Sequence, residues 1–302
     1  MDAGSIPAAS TKEIKPSFKH QSWLRVFLFK RRTNRGSIVR CAWLTDIHLE
    51  FLSSPEAEDF IKSLTQENLD AIFLTGDIST ARRLNSHLNL FNHFFHKSVY
   101  FVLGNHDYYG GSIDTVRQHT AQFCQEPNQL HWLPTSGVVE LTSTTCLVGH
   151  DSWADGRFGD FRSSPIMLND YVQIKDFIPC NKTGRLALLN HLGDEAADFF
   201  RTLLPVALAK YEHVIVLTHA PPFKEACWHE GAISSDEWLP HFSCQAVGEV
   251  LKEAMIKNPN RKMTVLCGHT HGCGIAEILP NLLVKTGGAE YGCPKIQEII
   301  EI

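Results

Sequence analysis

Val99-Tyr100-Phe101-Val102-Leu103-Gly104-Asn105-His106-Asp107 runs from five apolar residues straight into a glycine and three polar side chains. A short apolar run rich in β-branched and aromatic residues reads as a strand buried on both faces, and the glycine marks its end. The same figure recurs along the chain. Residues 39–45 run into Asp46-Ile47-His48, and residues 71–75 into Gly76-Asp77. Residues 213–218 deliver His219 ahead of Ala-Pro-Pro, and residues 263–267 deliver Gly268-His269-Thr270-His271. Two further apolar runs, 145–149 and 283–285, complete the expected strands. Between them, helical spacing is expected over 55–66, 81–95, 113–124, 194–209 and 244–257, with Pro55 in a first turn and Ser243 as a cap. Apolar strands alternating with helices specify a layered α/β fold.

Five strands thus end in polar residues of one restricted kind. In open α/β sheets the carboxyl ends of the strands are where ligands bind. A mixed Asp, His and Asn set suits borderline divalent metals such as Mn, Fe or Zn better than Mg or Ca. Glycines stand just before candidate ligands at 76, 104 and 268, where they permit a sharp turn and close backbone approach. In Asp46-x-His48 and His269-x-His271, the two side chains on one extended stretch share a face. One such pair is common by chance; five pieces in one order are not.

Composition is that of an ordinary globular protein. The chain has 302 residues, 43% hydrophobic and 20% charged, enough for a substantial core. Its nine cysteines are scattered without a Cys-x-x-Cys pair, which points to a reducing, cytoplasmic setting with Cys267 and Cys273 as buried packing groups. No apolar stretch is long enough to span a membrane. Charge is uneven. Residues 1–40 hold nine Lys/Arg and two acids, leaving 19 basic and 31 acidic residues for the remainder. An acidic core argues against a general nucleic-acid surface and accepts metal cations. The basic segment 1–37 reads as a disordered extension, an upstream start or a targeting tail.

The order D-x-H, GD, GNHD, H and GH-x-H resembles the calcineurin-like metallophosphoesterase superfamily, over about residues 39–290. That resemblance implies a four-layer α-β-β-α sandwich, expected over 38–302; near 150–192 the alternation weakens and Gly, Pro, Asp and Asn become frequent, which reads as an irregular, cap-like insertion. The resemblance also implies two divalent or mixed-valence metal ions, Mn or Fe and alternatively Zn. Asp46, His48, Asp77 and His271 would hold one. Asp77, Asn105, His219 and His269 would hold the other, so that Asp77 bridges. Paired metals clamp the attacking and departing oxygens of an in-line phosphoryl displacement and acidify a shared water to a hydroxide nucleophile. The histidine of GNHD sits beside the phosphate in this family, which makes His106 the group that assists the leaving oxygen, with Asp107 fixing local geometry. Thr80-Ala81-Arg82 stands where Ser/Thr protein phosphatases carry DRG, and Thr80 where purple acid phosphatases carry a ligand tyrosine. The phosphodiesterase and small-molecule phosphatase branches remain.

The expected activity is hydrolysis of a phosphomonoester or phosphodiester of a small molecule or nucleotide. The alternatives are a DNA or RNA nuclease, and a non-catalytic scaffold on the same fold. Substrate contacts are expected from the stretch 150–162, through His150, Trp153, Arg157 and Arg162, because long loops beside a strand end commonly carry specificity. The histidines outside the motifs, His87 and His241 among them, read as ordinary surface or packing residues.

Overall fold

The structure is a computed structural model that describes residues 26–28, 38–126 and 128–302. In chain order its strands are β1 (Val26–Leu28), β2 (Arg40–Leu44), β3 (Ala71–Thr75), β4 (Ser98–Val102), β5 (Leu130–Trp132), β6 (Val138–Glu140) and β7 (Thr145–Gly149). They continue as β8 (His213–Leu217), β9 (Trp228–His229), β10 (Ala232–Ile233), β11 (Lys262–Cys267), β12 (Gly274–Leu279), β13 (Leu282–Thr286) and β14 (Glu298–Glu301). One sheet has the order β14-β2-β3-β4-β5 and the other β1-β6-β7-β8-β11-β13-β12, while β9 and β10 form a small ribbon.

Alternation along each central strand explains why two sheets stack. In the first sheet Cys41, Trp43, Ala71, Phe73, Tyr100 and Val102 face one way. They meet Leu147, Ile215, Leu217 and Leu266 of the second sheet in one apolar layer. Their neighbours Ala42, Leu44, Ile72, Leu74, Val99 and Phe101 point oppositely and pack with Ile61, Leu88 and Val116 of the overlying helices. Val148, Val214, Val216 and Val265 do the same on the far side, beneath Phe200, Leu204, Val247 and Leu251. Strands covered on both faces must be apolar at every position, which is why they read as unbroken runs. The result is helix, sheet, sheet, helix, the layering that the resemblance implies.

Direction positions the site. β2, β3 and β4 pair in parallel, as do β7, β8, β11 and β13. Parallel strands share one carboxyl edge, so the polar residues following β2, β3, β4, β8 and β11 gather at one rim.

Several boundaries differ from expectation. The edge strands β5, β12 and β14, and β6 beside the edge strand β1, are not expected from the sequence; short or half-exposed strands lack the continuous apolar signature. The helix expected over 81–95 is Leu84–Leu90 followed by a wider turn at Phe91–Phe95. The helix expected from 194 begins at Lys182 and runs to Lys210, capped by Asn181, whose side chain accepts from Gly184 N at 2.9 Å. Gly184 and Gly193, weak helix formers, disguise its first turns. The irregular segment therefore ends at Asn181. Ser243 is not the cap of Gln245–Lys257; Cys244 holds that place and the Ser243 hydroxyl donates to Leu239 O. Of the extension expected over 1–37, Val26–Leu28 pairs with Val138–Glu140, and the rest lies outside the described residues. No described helix is long and apolar enough to cross a membrane.

Candidate active site

The rim is built from strained backbone. Asp46, His48, Asp77, His269 and His271 all have positive φ, between 41° and 72°, a region that non-glycine residues rarely enter. Each such residue costs on the order of 1–3 kcal/mol, and strain of this kind gathers where function over-determines the backbone. The glycines fit the same crowding. A Cβ on Gly104 would lie 2.2 Å from Asp77 Oδ1, and one on Gly268 would lie 2.0 Å from Asp46 Oδ2. Any side chain at either position would displace a candidate ligand.

Asp46, His48, Asp77 and His271 place one ligand atom each within 4.8 Å of one another. His48 Nδ1 lies 3.2 Å from Glu50 Oε1, so that nitrogen carries the proton. The bare Nε2 then faces His271 Nε2 at 3.1 Å and Asp77 Oδ2 at 3.6 Å. His271 Nε2 is 3.6 Å from Asp46 Oδ1. Asp46 is held in turn by the backbone N–H of His269.

The second group is more telling. His219 Nδ1 lies 2.8 Å from the Thr75 carbonyl, an acceptor only, so Nδ1 is protonated and Nε2 is bare. His269 Nε2 donates to the His241 carbonyl at 3.0 Å, which leaves its Nδ1 bare. Asn105 Nδ2 donates to Asp170 Oδ1 at 2.8 Å, so its Oδ1 points the other way. Both bare nitrogens stand 2.9 Å from that oxygen, and Asp77 Oδ1 is 3.4 Å from His219 Nε2. Neutral imidazoles would leave these acceptors facing one another without a proton. A bound cation resolves the conflict, and the N/O donor set suits a transition metal. Asp77 offers one oxygen to each group.

Around the groups lie residues that hold them. Burial opposes ionisation of Asp77, but the imidazoles that surround it, His219 first and then His106, hold its carboxyl well below the usual range. His269 and His271 are pushed down by burial. His106 projects beside Asn105, half-buried and stacked on Tyr109 at 4.2 Å, while its backbone N–H donates to Asp77 Oδ1 at 2.8 Å. Burial disfavours its charged form, yet Asp77 and Glu50 pull its pKa up to about 9. Asp107 accepts from Ile78 N, Ser79 N and Gly104 N, tying the Gly-Asp turn to the Gly-Asn-His-Asp turn. That is a bracing role, with no exposed oxygen.

Sequence reasoning missed two acids here. Glu50 touches both His48 and His106, and burial of its carboxyl is outweighed by those hydrogen bonds, which hold its pKa down to about 2. Asp170, from the irregular segment, anchors Asn105 and accepts from Tyr109 OH at 2.7 Å. Glu50 was within reach, standing two residues after a ligand; nothing local marks Asp170.

The residues expected to contact substrate lie elsewhere. His150 is buried with its ring 4.9 Å from Phe199, on the helix side of the sheet. Trp153 is a core residue between Tyr108 and Phe177. Arg157 pairs with Asp155 at 3.0 Å and Asp194 at 2.7 Å. Arg162 is exposed, and its carbonyl accepts from Lys182. None of the four is brought to the ligand groups. Three other readings also change. His87 is buried and meets Ser79 Oγ. His241 is buried between Tyr171 and Ser164, where it links the irregular segment to His269. Cys273 is exposed, although Cys267 is buried.

Comparison with known proteins agrees with this fold. The phosphopantetheinyl hydrolase of Mycobacterium tuberculosis has a similar structure, 15% identical, covering 85% of this chain and 91% of that one with a TM-score of 0.62. A dimetal phosphatase from Danio rerio is 13% identical, covering 83% and 87% of the two chains with a TM-score of 0.52. At such identities the likeness is one of fold. No curated protein sequence matches the chain. Residues 39–273 match the calcineurin-like phosphoesterase family, from just before β2 to just beyond His271. The protein thus belongs to the calcineurin-like phosphoesterases, a family of two-metal hydrolases of phosphate esters.

Proposed function

We propose that this enzyme hydrolyses phosphomonoesters or phosphodiesters of small molecules or nucleotides. In this reading Asp46, His48, Asp77 and His271 hold one metal, and Asp77, Asn105, His219 and His269 hold a second. Mn or Fe is the expected pair, with Zn as the alternative, because imidazole nitrogens outnumber carboxylates. The observation that carries the reading is the convergence of His219 Nε2, His269 Nδ1 and Asn105 Oδ1 with no proton available between them.

When bound, the metals would polarise the phosphoryl oxygens and make water a competent nucleophile near neutral pH. The protein's own residues supply the rest. Asp77, held by the His106 backbone N–H, sets the spacing of the two groups. The Thr75 and His241 carbonyls fix the His219 and His269 tautomers, as partners behind a ligand commonly do. His106, partly exposed beside them, delivers a proton to the departing oxygen.

The acidic core disfavours a nuclease. The filled ligand set disfavours a scaffold. A metal-reconstituted panel of p-nitrophenyl phosphate, bis-p-nitrophenyl phosphate, cyclic nucleotides and nucleoside polyphosphates tests the reading. Metal-dependent turnover of one class is expected, and no turnover of any member with both metals bound would sink it.

A further inference from the structure

Glu50 has no counterpart among the metal ligands and yet sits at the heart of the site. Its Oε1 lies 3.2 Å from His106 Nδ1 and 3.2 Å from His48 Nδ1. Its side chain is about nine-tenths buried, and Oε2 has no hydrogen-bond partner within the protein. The backbone is pinned as well, since the Glu50 carbonyl accepts from Arg83 Nη1 at 3.1 Å.

We propose that Glu50 is the positioning residue for His106, and that it locks this ring and the ligand His48 into one unit. The proposal rests on the phosphoesterase reading above. A buried carboxylate without a Lys or Arg partner is costly, so its place needs a reason. Here both its neighbours are imidazoles, each presenting Nδ1 to the same oxygen. A carboxylate at Nδ1 fixes the proton there and turns Nε2 toward the opposite side of the ring, the orienting logic of a carboxylate–histidine pair. For His48 that opposite side is the metal group. For His106 it is the side away from Glu50, where Nε2 is free to meet a substrate. Tyr109, stacked on the His106 ring at 4.2 Å, and His48, edge-on at 4.4 Å, prevent the ring from tilting away. The orientation is therefore set by one hydrogen bond and two ring contacts. Only the hydrogen bond selects which nitrogen faces outward.

A competing account makes Glu50 part of a cation site, because His48, Glu50 and His106 can also bring ligand atoms within 4.8 Å of one another. The two accounts differ in what Glu50→Gln does. The experiment uses the full chain loaded with Mn and compares wild type, Glu50→Gln, His106→Ala and the double variant. Each is assayed on a p-nitrophenyl ester, whose leaving oxygen needs no proton, and on an alkyl ester of the same phosphate type. Glu50→Gln should keep the wild-type metal stoichiometry and a KM within about threefold. Its kcat on the alkyl ester should fall about 10- to 100-fold, the usual effect of removing an orienting partner. On the nitrophenyl ester the loss should be severalfold smaller, and the double variant should be no slower than His106→Ala alone. If Glu50→Gln melts early, Glu50→Asp, which keeps the charge but falls short of Nδ1, should give the same dependence on leaving group. Equal losses on both esters, a full extra loss in the double variant, or a missing metal ion would each overturn the positioning role. Wild-type protein that hydrolyses neither ester would instead remove the phosphoesterase reading on which the proposal stands.

Discussion

The strand-end rim is dense in Asp and His and the irregular segment 151–181 in Asp and Arg, yet they spend those residues differently. In the irregular segment the chain satisfies itself. Arg157 is clasped by Asp155 and Asp194, and Asp151 accepts from Leu103 N, Tyr108 OH and Trp132 Nε1. At the rim the opposite holds. Bare imidazole nitrogens face an amide oxygen and a second imidazole, on a backbone forced into positive φ. Buried polar groups are normally paired, so a cluster left unpaired by its own chain marks where something else binds. A polar residue near a strand end is therefore weak evidence of a site. Acceptors with no donor between them are strong evidence.

Substitutions can break that contrast, and the largest effect is expected at Asp77. Asp77→Asn removes the carboxylate shared by both ligand groups. It should leave less than the wild-type complement of metal and a rate loss exceeding the ~10²–10⁴-fold expected for His106. Near-full turnover with metal content measured would show that Asp77 does not serve both groups. His106→Ala comes next. It should keep its metals and lose about 10²–10⁴-fold on esters with poor leaving groups, and less on good ones. Steady-state kinetics with metal analysis on the same sample decides this.

Asp170 tests whether the irregular segment serves the rim from behind. Asp170→Ala frees the Asn105 amide to rotate, so metal affinity or kcat should fall about 10- to 100-fold. An unchanged metal-binding isotherm would mean that Asn105 needs no such anchor. Arg157 should matter least to catalysis. Arg157→Ala should leave kcat/KM within about twofold and cost about 1–3 kcal/mol of stability, from lost hydrogen bonds to carboxylates. A large drop in kcat/KM with an unchanged melting curve would return Arg157 to the substrate.

The residues gathered at the rim were legible because strand ends in an α/β fold have a fixed job, and residue type plus order carried the signal from Asp46 to His271. The central strands were legible for a similar reason, since burial on both faces demands an unbroken apolar run. Glu50 and Asp170 were not, because each becomes functional only when another element arrives: Glu50 when Asn105-His106 closes on it, Asp170 when the irregular segment folds over Tyr109. The start of the helix Lys182–Lys210 was hidden by two glycines in its first half. His150, Trp153 and Arg157 misled because proximity to a strand end does not say which face a side chain takes. The β7 strand end turns His150 to the helix layer and Asp151 into the bracing network.

Whether the unpaired acceptors of the rim are there to hold two metals is the central claim, and a titration reaches it most directly. Metal-free protein is supplied with increasing equivalents of Mn while hydrolysis of bis-p-nitrophenyl phosphate and p-nitrophenyl phosphate is followed. The account predicts no measurable rate without metal and a rate that climbs to a plateau at two equivalents per chain. Turnover by the metal-free protein at the rate of the loaded one, or a plateau reached at one equivalent, would contradict it.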